Sequence, residues 1–175
     1  MRGSAHVADR MREILPASGD RRETQALAPA CETDTMTETS ERIVSLTRES
    51  RGVYVATNEA GSTVRFGPGM DDGFSPVELL LASLAGCSGI DVDYMTTRRA
   101  EPLRFEITSR ALYEKGDDGN QLRDFVVTFS LVFPAGEDGD KARARIPAAL
   151  KTSKEKTCTV SRTLEAGATV QLREG

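Results

Sequence analysis

The sequence predicts an α+β protein in which antiparallel strands pack on a central apolar helix. Two observations predict this class. After residue 40, most segments alternate apolar and polar residues with the period of a β-strand. One segment, from Ser75 to about Thr97, is instead apolar on nearly every side, and a helix without a polar face belongs in the centre of a fold. The expected order of elements is βββ-α-ββ-α-α-β.

The first half of the patterned sequence predicts three strands. Residues 41–50 and 51–59 alternate apolar and polar side chains, and residues 62–68 form a shorter third strand after a turn at Gly61-Ser62. The glycine-rich, acidic segment 67–74 is expected to be a loop that leads into the central helix.

The start of the central helix has a clear signature. Ser75 is a favoured N-cap residue, Pro76 suits the first helical position, and Glu78 completes a capping box. Leucine and alanine then dominate the sequence as far as Cys87. The apolar run is too short to span a bilayer.

The second half predicts two long strands and two helices. Residues 103–114 and 123–134 alternate strongly, with the polar turn 115–121 between them. A helix is expected from Gly139-Asp140 onward, with a kink or a break at Pro147.

The last predicted elements are a second helix and a final strand. Residues 151–167 form this helix, and Gly167 is its C-terminal stop signal. Residues 168–174 (ATVQLRE) are expected to close the fold as a strand.

Composition excludes several classes of function. The chain has 175 residues and a net charge of −4, so one domain is expected, and no basic excess is available to bind nucleic acid or an anionic membrane. The domain is predicted to cover residues 41–175.

Residues 1–40 are expected to be a disordered extension, because they contain none of the nine aromatic residues and no sustained period. They carry no apolar secretory segment, and their acidic residues argue against a transit peptide, so a cytoplasmic location is expected. Met36 is a candidate native start, which the intact mass of the native protein tests.

The cysteines and the single histidine limit the possible chemistry. Cys31, Cys87 and Cys158 include no CxxC pair, so neither a disulfide scaffold nor a structural zinc site is expected. The only histidine, His6, lies in the extension, which leaves a cysteine or serine hydrolase without a base. Cys31 is interpreted as an incidental thiol. We expect no metal and no cofactor.

The other two cysteines leave two interpretations open. Cys87 is either a small buried apolar residue or a reactive thiol. Cys158 lies in a polar, lysine-containing stretch near the start of a short helix, where unpaired N–H groups and the lysines favour a thiolate.

Two motifs resemble a known family. The segment SPVELLLASLAGCSGIDV, followed about 70 residues later by EKTCTVSRTLEAG, is similar to the OsmC/Ohr superfamily of osmotically inducible and organic-hydroperoxide-resistance proteins, and within it to the OsmC-like branch. The resemblance covers residues 41–175, and the preceding extension has no counterpart.

This resemblance implies an intertwined homodimer, with sheets from both subunits wrapped around two buried helices and active sites at the interface. It further implies a thiol-dependent peroxidase that needs no metal or haem. By position, Cys87 is the peroxidatic cysteine that attacks an organic hydroperoxide and becomes a sulfenic acid. Cys158 resolves it as a Cys87–Cys158 disulfide, which a dithiol then reduces.

The sequence departs from the family pattern beside the capping box. The well-studied hydroperoxide reductases place a glutamate directly after the motif proline, where it holds an arginine against the thiolate. Here Val77 occupies that position and Glu78 follows it, so Glu78 has two possible roles, as a catalytic residue and as a helix cap.

Three residues are candidates for the arginine that would activate the thiol, namely Arg48, Arg51 and Arg65. Of these we favour Arg51. Asp91, one turn beyond Cys87, opposes thiolate formation if it faces the thiol.

Two functions follow from these alternatives. The first is an organic-hydroperoxide reductase. The second is a small-molecule-binding or redox-sensing dimer without efficient turnover, which the Val77-Glu78 departure favours.

Overall fold

The computed structural model describes residues 38–175, of which residues 42–175 form one compact unit. The predictions made for the extension, including those for His6, Cys31 and Met36, lie outside the described residues. The boundary between residues 40 and 41 therefore stays a prediction.

The α+β class is confirmed, with antiparallel strands and helices in the expected order as far as residue 166. Five strands and three α-helices make up the described part of the chain. The elements are β1 (Val44–Ser50), β2 (Val53–Asn58), β3 (Thr63–Phe66), α1 (Pro76–Thr96), β4 (Arg104–Gly116), β5 (Gly119–Val132), α2 (Glu137–Thr152) and α3 (Thr159–Ala166).

The strands form two antiparallel sheets. In the first, β2 lies between β1 and β3, and the tight turn before β3 contains Gly61 at φ +83°, a left-handed conformation that glycine adopts without strain. The second sheet is the long hairpin of β4 and β5, in which Ile107 lies opposite Phe129. Half-buried and exposed residues alternate along the first part of β4, as the sequence pattern predicted.

Helix α1 is the element on which the second sheet and the other helices pack. It contacts β4, α2 and α3. Gly89 allows a close approach to β4, because a Cβ atom there would lie 2.5 Å from Cδ1 of Ile107. The buried face of α1 is formed by Leu84, Ser88, Gly89, Val92 and Thr96.

The capping box of α1 is present. The Ser75 hydroxyl accepts a hydrogen bond from the Glu78 N–H at 3.3 Å, and the Glu78 carboxylate accepts one from the Ser75 N–H at 2.7 Å. These two bonds satisfy backbone donors that the first helical turn leaves without partners.

The helical region after β5 differs in detail from the prediction. Helix α2 runs through Pro147 without ending there. A π-helical turn, Ser153–Thr157, then joins α2 to α3. Helix α3 ends at Gly167, which has the left-handed conformation expected of a C-terminal glycine.

The closing strand predicted at residues 168–174 is not formed. A strand needs a neighbouring strand to accept and donate its backbone hydrogen bonds. Within residues 38–175 each sheet is complete without this segment, and Val170 and Leu172 are 83% and 96% exposed.

Helix α1 is also less completely buried than its composition predicted. One face packs inside the unit, whereas Ile90 and Tyr94 on another face are exposed. Every residue of β1 is exposed, and the strands of the first sheet make their contacts mainly with one another. Among the described residues, no helix is long and apolar enough to cross a membrane.

The capping box yields a stability prediction. We expect Ser75→Ala to lower the free energy of unfolding by about 1 kcal/mol, because it removes the acceptor for the Glu78 N–H. Denaturant unfolding measures the change. Ser83→Ala is the matched control, since the Ser83 hydroxyl donates to the Leu80 carbonyl within the helix and does not cap its start. Equal stability of the Ser75 variant and the wild type would contradict a capping role.

Candidate active site

The structure brings the two predicted cysteines together where the middle of α1 meets the start of α3. Cys87 is partly buried on α1, and Cys158 is fully buried at the N-cap position of α3. Both are free thiols. The Cys158 side chain and the backbone N–H groups of Thr159 and Val160 lie close enough to Cys87 to act on the pKa of its thiol.

Several groups shift the pKa of the Cys87 thiol, and they do so in opposite directions. Burial raises its pKa above the usual range, and the neighbouring Cys158 side chain raises it further. The N–H groups of Val160 and Thr159, in the first turn of α3, act against this shift because they stabilise a thiolate. The net effect is a raised pKa, so the thiol form of Cys87 dominates at neutral pH.

Cys158 is held by four hydrogen bonds, one of which its carbonyl accepts from the Arg162 N–H at 3.1 Å. Its Sγ accepts one from the Ser161 N–H at 3.4 Å and one from the Ser88 hydroxyl at 3.3 Å. Its own N–H donates to the Ser153 carbonyl at 2.9 Å, across the π-helical turn. The prediction that Cys158 stands at a helix start is therefore confirmed.

A carboxylate lies on the same side of α1 as the cysteines. Asp91 Oδ2 accepts a hydrogen bond of 2.8 Å from the Ser153 hydroxyl, at the start of the π-helical turn. Asp91 is not among the groups that shift the pKa of Cys87. Among the described residues, nothing therefore supports the opposition to thiolate formation that the sequence raised for Asp91.

Glu78 is engaged in the capping box. Its pKa is lowered, chiefly by the hydrogen bond from the Ser75 N–H. It precedes Cys87 by nine residues (87 − 78), which corresponds to about 13 Å along the helix. Its catalytic role stays a prediction. Within residues 38–175, no contact between Glu78 and Cys87 supports that role.

The candidate arginines lie in and beside the first sheet. Arg51 is exposed in the turn between β1 and β2. Arg65 forms two hydrogen bonds, of 2.9 and 2.8 Å, with the carboxylate of Glu49 on β1. In the described part of the chain, no cationic side chain is among the groups that act on the Cys87 pKa.

A cavity of about 860 Å³ lies beside Cys158. Three of its lining residues, Ser88, Ser153 and Ser161, are hydrogen-bonded to this cysteine. The rest of its wall is largely apolar and includes Leu80, Leu84, Leu122, Phe125, Val127, Phe129, Leu150 and Leu164. Neither cysteine is among the lining residues, so the cavity can hold a molecule with a sizeable apolar group against the serines that bond to Cys158.

Sequence reasoning missed the three serines and the contribution of β5 to the cavity. Two of the serines had a local signal: Ser88 directly follows Cys87, and Ser161 lies three residues after Cys158, the spacing of an N-cap and its donor. Ser153 had none, since the π-helical turn that brings it to Cys158 has no clear sequence pattern. Across residues 38–175, no group of three His, Cys, Asp or Glu residues is arranged to hold a metal ion.

Comparison with known proteins gives the family. A family model described as OsmC-like protein matches residues 69–173, more than half of the chain. The chain therefore belongs to the OsmC-like family. No curated protein sequence matches it.

Solved structures share the fold. An OsmC-like protein of unknown function from Vibrio cholerae is 13% identical, with a TM-score of 0.59 over 73% of this chain and 95% of that one. An OsmC-like protein from Mycoplasma pneumoniae is 15% identical, with a TM-score of 0.57 over 73% and 89%. A hypothetical protein from Aquifex aeolicus VF5 is 24% identical, with a TM-score of 0.58 over 73% and 89%. At these identities the similarity concerns the fold alone.

The raised pKa of Cys87 yields a test by alkylation. Only the thiolate reacts with iodoacetamide, so we expect the alkylation rate of Cys87 to rise roughly tenfold per pH unit above neutrality. The rate should still be rising at a pH where that of a cysteine in an unstructured peptide has levelled off. Peptide mass spectrometry measures the Cys87 rate separately from those of the other cysteines. A plateau at a lower pH than that of the unstructured peptide would contradict the assigned environment.

Proposed function

We propose that the protein is a thiol-dependent peroxidase that reduces organic hydroperoxides. The observation that carries this proposal is the pairing of two free thiols, Cys87 and Cys158, at a helix N-terminus beside a largely apolar cavity. The apolar wall favours alkyl hydroperoxides over hydrogen peroxide, which has no apolar group to bury.

In the proposed first step, the Cys87 thiolate attacks the distal oxygen of the hydroperoxide. An S–O bond forms, the O–O bond breaks, and the alkoxide takes a proton and leaves as the alcohol. The sulfur is oxidised to a sulfenic acid. The N–H groups of Thr159 and Val160 favour the thiolate that this step requires.

In the second step, Cys158 attacks the Cys87 sulfur and forms a Cys87–Cys158 disulfide. The hydroxyl of the sulfenic acid leaves with the proton of Cys158 as water. A dithiol then reduces the disulfide by thiol–disulfide exchange and restores both thiols. In the family, an arginine supplies the positive charge that stabilises the thiolate. We propose Arg51 for this role, and substitution of Arg51 tests it.

Turnover with matched variants tests the reaction. We expect the wild type to consume cumene hydroperoxide in the presence of a dithiol, Cys87→Ser to lose this activity, and Cys158→Ser to be slowed. Cys31→Ser is the control and should keep wild-type turnover, because Cys31 has no part in the mechanism. Consumption of the hydroperoxide at the wild-type rate by Cys87→Ser would refute the proposal.

A second candidate is a binding or redox-sensing protein that keeps the cavity without efficient turnover. The raised pKa of Cys87, with no cation acting on it among residues 38–175, favours this function. It predicts that an apolar ligand binds equally well to the wild type and to Cys87→Ser while hydroperoxide consumption is negligible. Isothermal titration calorimetry with both proteins separates the two functions.

We further propose that the protein acts as a homodimer. The exposed face of α1 presents Ile90 and Tyr94, which are 57% and 66% exposed, and the first sheet presents Leu46 and Val64. A second copy covers these apolar side chains, and each Å² of apolar surface removed from water stabilises the dimer by about 25 cal/mol.

The dimer is tested by mass in solution. Light scattering should give about twice the chain mass of 19.0 kDa. Tyr94→Asp should shift the mass toward that of a single chain, because it places a charge in the proposed apolar interface. The matched control, Tyr113→Asp on the β4–β5 hairpin, should leave the dimer intact. A single-chain mass for the wild type at micromolar concentration would contradict the dimer.

A further inference from the structure

Two side chains of α1, Ser88 and Asp91, hold the segment that carries Cys158. Ser88 donates to the Cys158 Sγ, and the Asp91 carboxylate accepts from the Ser153 hydroxyl. Ser88 and Asp91 are three residues apart, so they lie on one face of the helix. Ser153 and Cys158 lie at the start and just beyond the end of the π-helical turn. Both ends of this turn are therefore attached to α1.

The attachments are buried at the ends formed by Ser153 and Cys158, whereas Asp91 is half-buried. Ser153 is 2% exposed and Cys158 is fully buried. A hydrogen bond to a carboxylate is stronger than one between neutral groups, and it is costly to leave such a partner unpaired away from water. The Asp91–Ser153 bond is therefore well suited to fix the start of the turn against α1.

The position of the π-helical turn matters because Cys158 directly follows this turn. A π-helical turn is rare and occurs mostly as a single turn, often at functional sites. Here the turn sets the position of Cys158 through one backbone bond, from the Cys158 N–H to the Ser153 carbonyl. A shift of Ser153 therefore moves Cys158 relative to Cys87.

We propose that Asp91 and Ser153 are positioning residues for disulfide formation, and that Ser88 orients the sulfur of Cys158 toward Cys87. The proposal rests on the proposed function in one respect, namely that the disulfide is the product of peroxide reduction. Positioning itself concerns only the approach of the two sulfurs, and any thiol oxidant can be used to measure it.

The step that these residues assist is the attack of Cys158 on oxidised Cys87. The S–S bond forms as the S–O bond of the sulfenic acid breaks, and water leaves. As the proton of Cys158 passes to the leaving hydroxyl to form water, the Ser88 hydroxyl stabilises the negative charge that develops on the Cys158 sulfur by donating a hydrogen bond. Once the disulfide has formed that charge is gone, and the bond weakens.

Good orientation of two groups raises their effective concentration strongly, and a small misplacement lowers it. We expect Asp91→Ala and Ser153→Ala each to lower the effective concentration of the Cys87–Cys158 pair about tenfold, a shift typical of one lost buried hydrogen bond. Asp91→Asn and Ser153→Thr should restore most of it, because each keeps the required acceptor or donor.

The experiment equilibrates the full chain, carrying Cys31→Ser, with reduced and oxidised glutathione, and mass spectrometry quantifies the disulfide. Asp93→Ala is the control, since it removes a carboxylate two residues along α1 and should leave the equilibrium unchanged. Thermal unfolding of each reduced variant reports any general loss of stability.

The outcomes separate the two proposals. A lowered effective concentration in the alanine variants, restored in the conservative ones, supports positioning even if the wild type reduces no hydroperoxide. An unchanged equilibrium in Asp91→Ala, or a failure of Asp91→Asn to restore it, overturns positioning and leaves the peroxidase proposal to its own assay. In addition, dimedone should trap more Cys87 sulfenic acid in Asp91→Ala than in the wild type, provided the hydroperoxide reacts.

Discussion

The approach of the first turn of α3 to the middle of α1 is the contact on which the site depends. It places Cys158 at the helix N-cap, between the hydroxyl of Ser88 and the N–H of Ser161, and it directs the next two N–H groups toward Cys87. The capping box fixes the start of α1, and Gly89 lets the same helix lie close against β4. The fold thus brings two thiols together that are 71 residues apart in the sequence (158 − 87).

Opposing electrostatic effects define the chemistry available at this contact. Burial raises the pKa of Cys87, whereas the N-terminal N–H groups of α3 favour its thiolate. In the family pattern an arginine held by a glutamate supplies positive charge to the thiolate, but here the carboxylate of Glu78 caps the helix and Arg51 lies in an exposed turn. The backbone of α3 is therefore the source of thiolate stabilisation that the described residues offer.

Much of the fold could be predicted from the sequence because its signals are local. The Ser75 capping box, the alternation along β4 and the stop at Gly167 each depend on residues near one another in the chain. The segment 168–174 alternates as a strand does, but it has no neighbouring strand among the described residues, and alternation alone supplies no partner. For the site, the motifs predicted both cysteines. The bonds of Ser153 depend on a π-helical turn, and the cavity depends on residues of α1 and β5 that line the same space. Neither feature is encoded in a local pattern.

The central claim is that Cys87 and Cys158 form one redox pair, and a single-turnover titration tests it most directly. One equivalent of cumene hydroperoxide is added to the reduced protein carrying Cys31→Ser, with no dithiol present, and thiols and disulfides are mapped by mass spectrometry. The account predicts that two thiols are lost for each hydroperoxide consumed, as a disulfide between Cys87 and Cys158 within one chain. Hydroperoxide consumed with both thiols still free, or a disulfide between two chains as the main product, would contradict it.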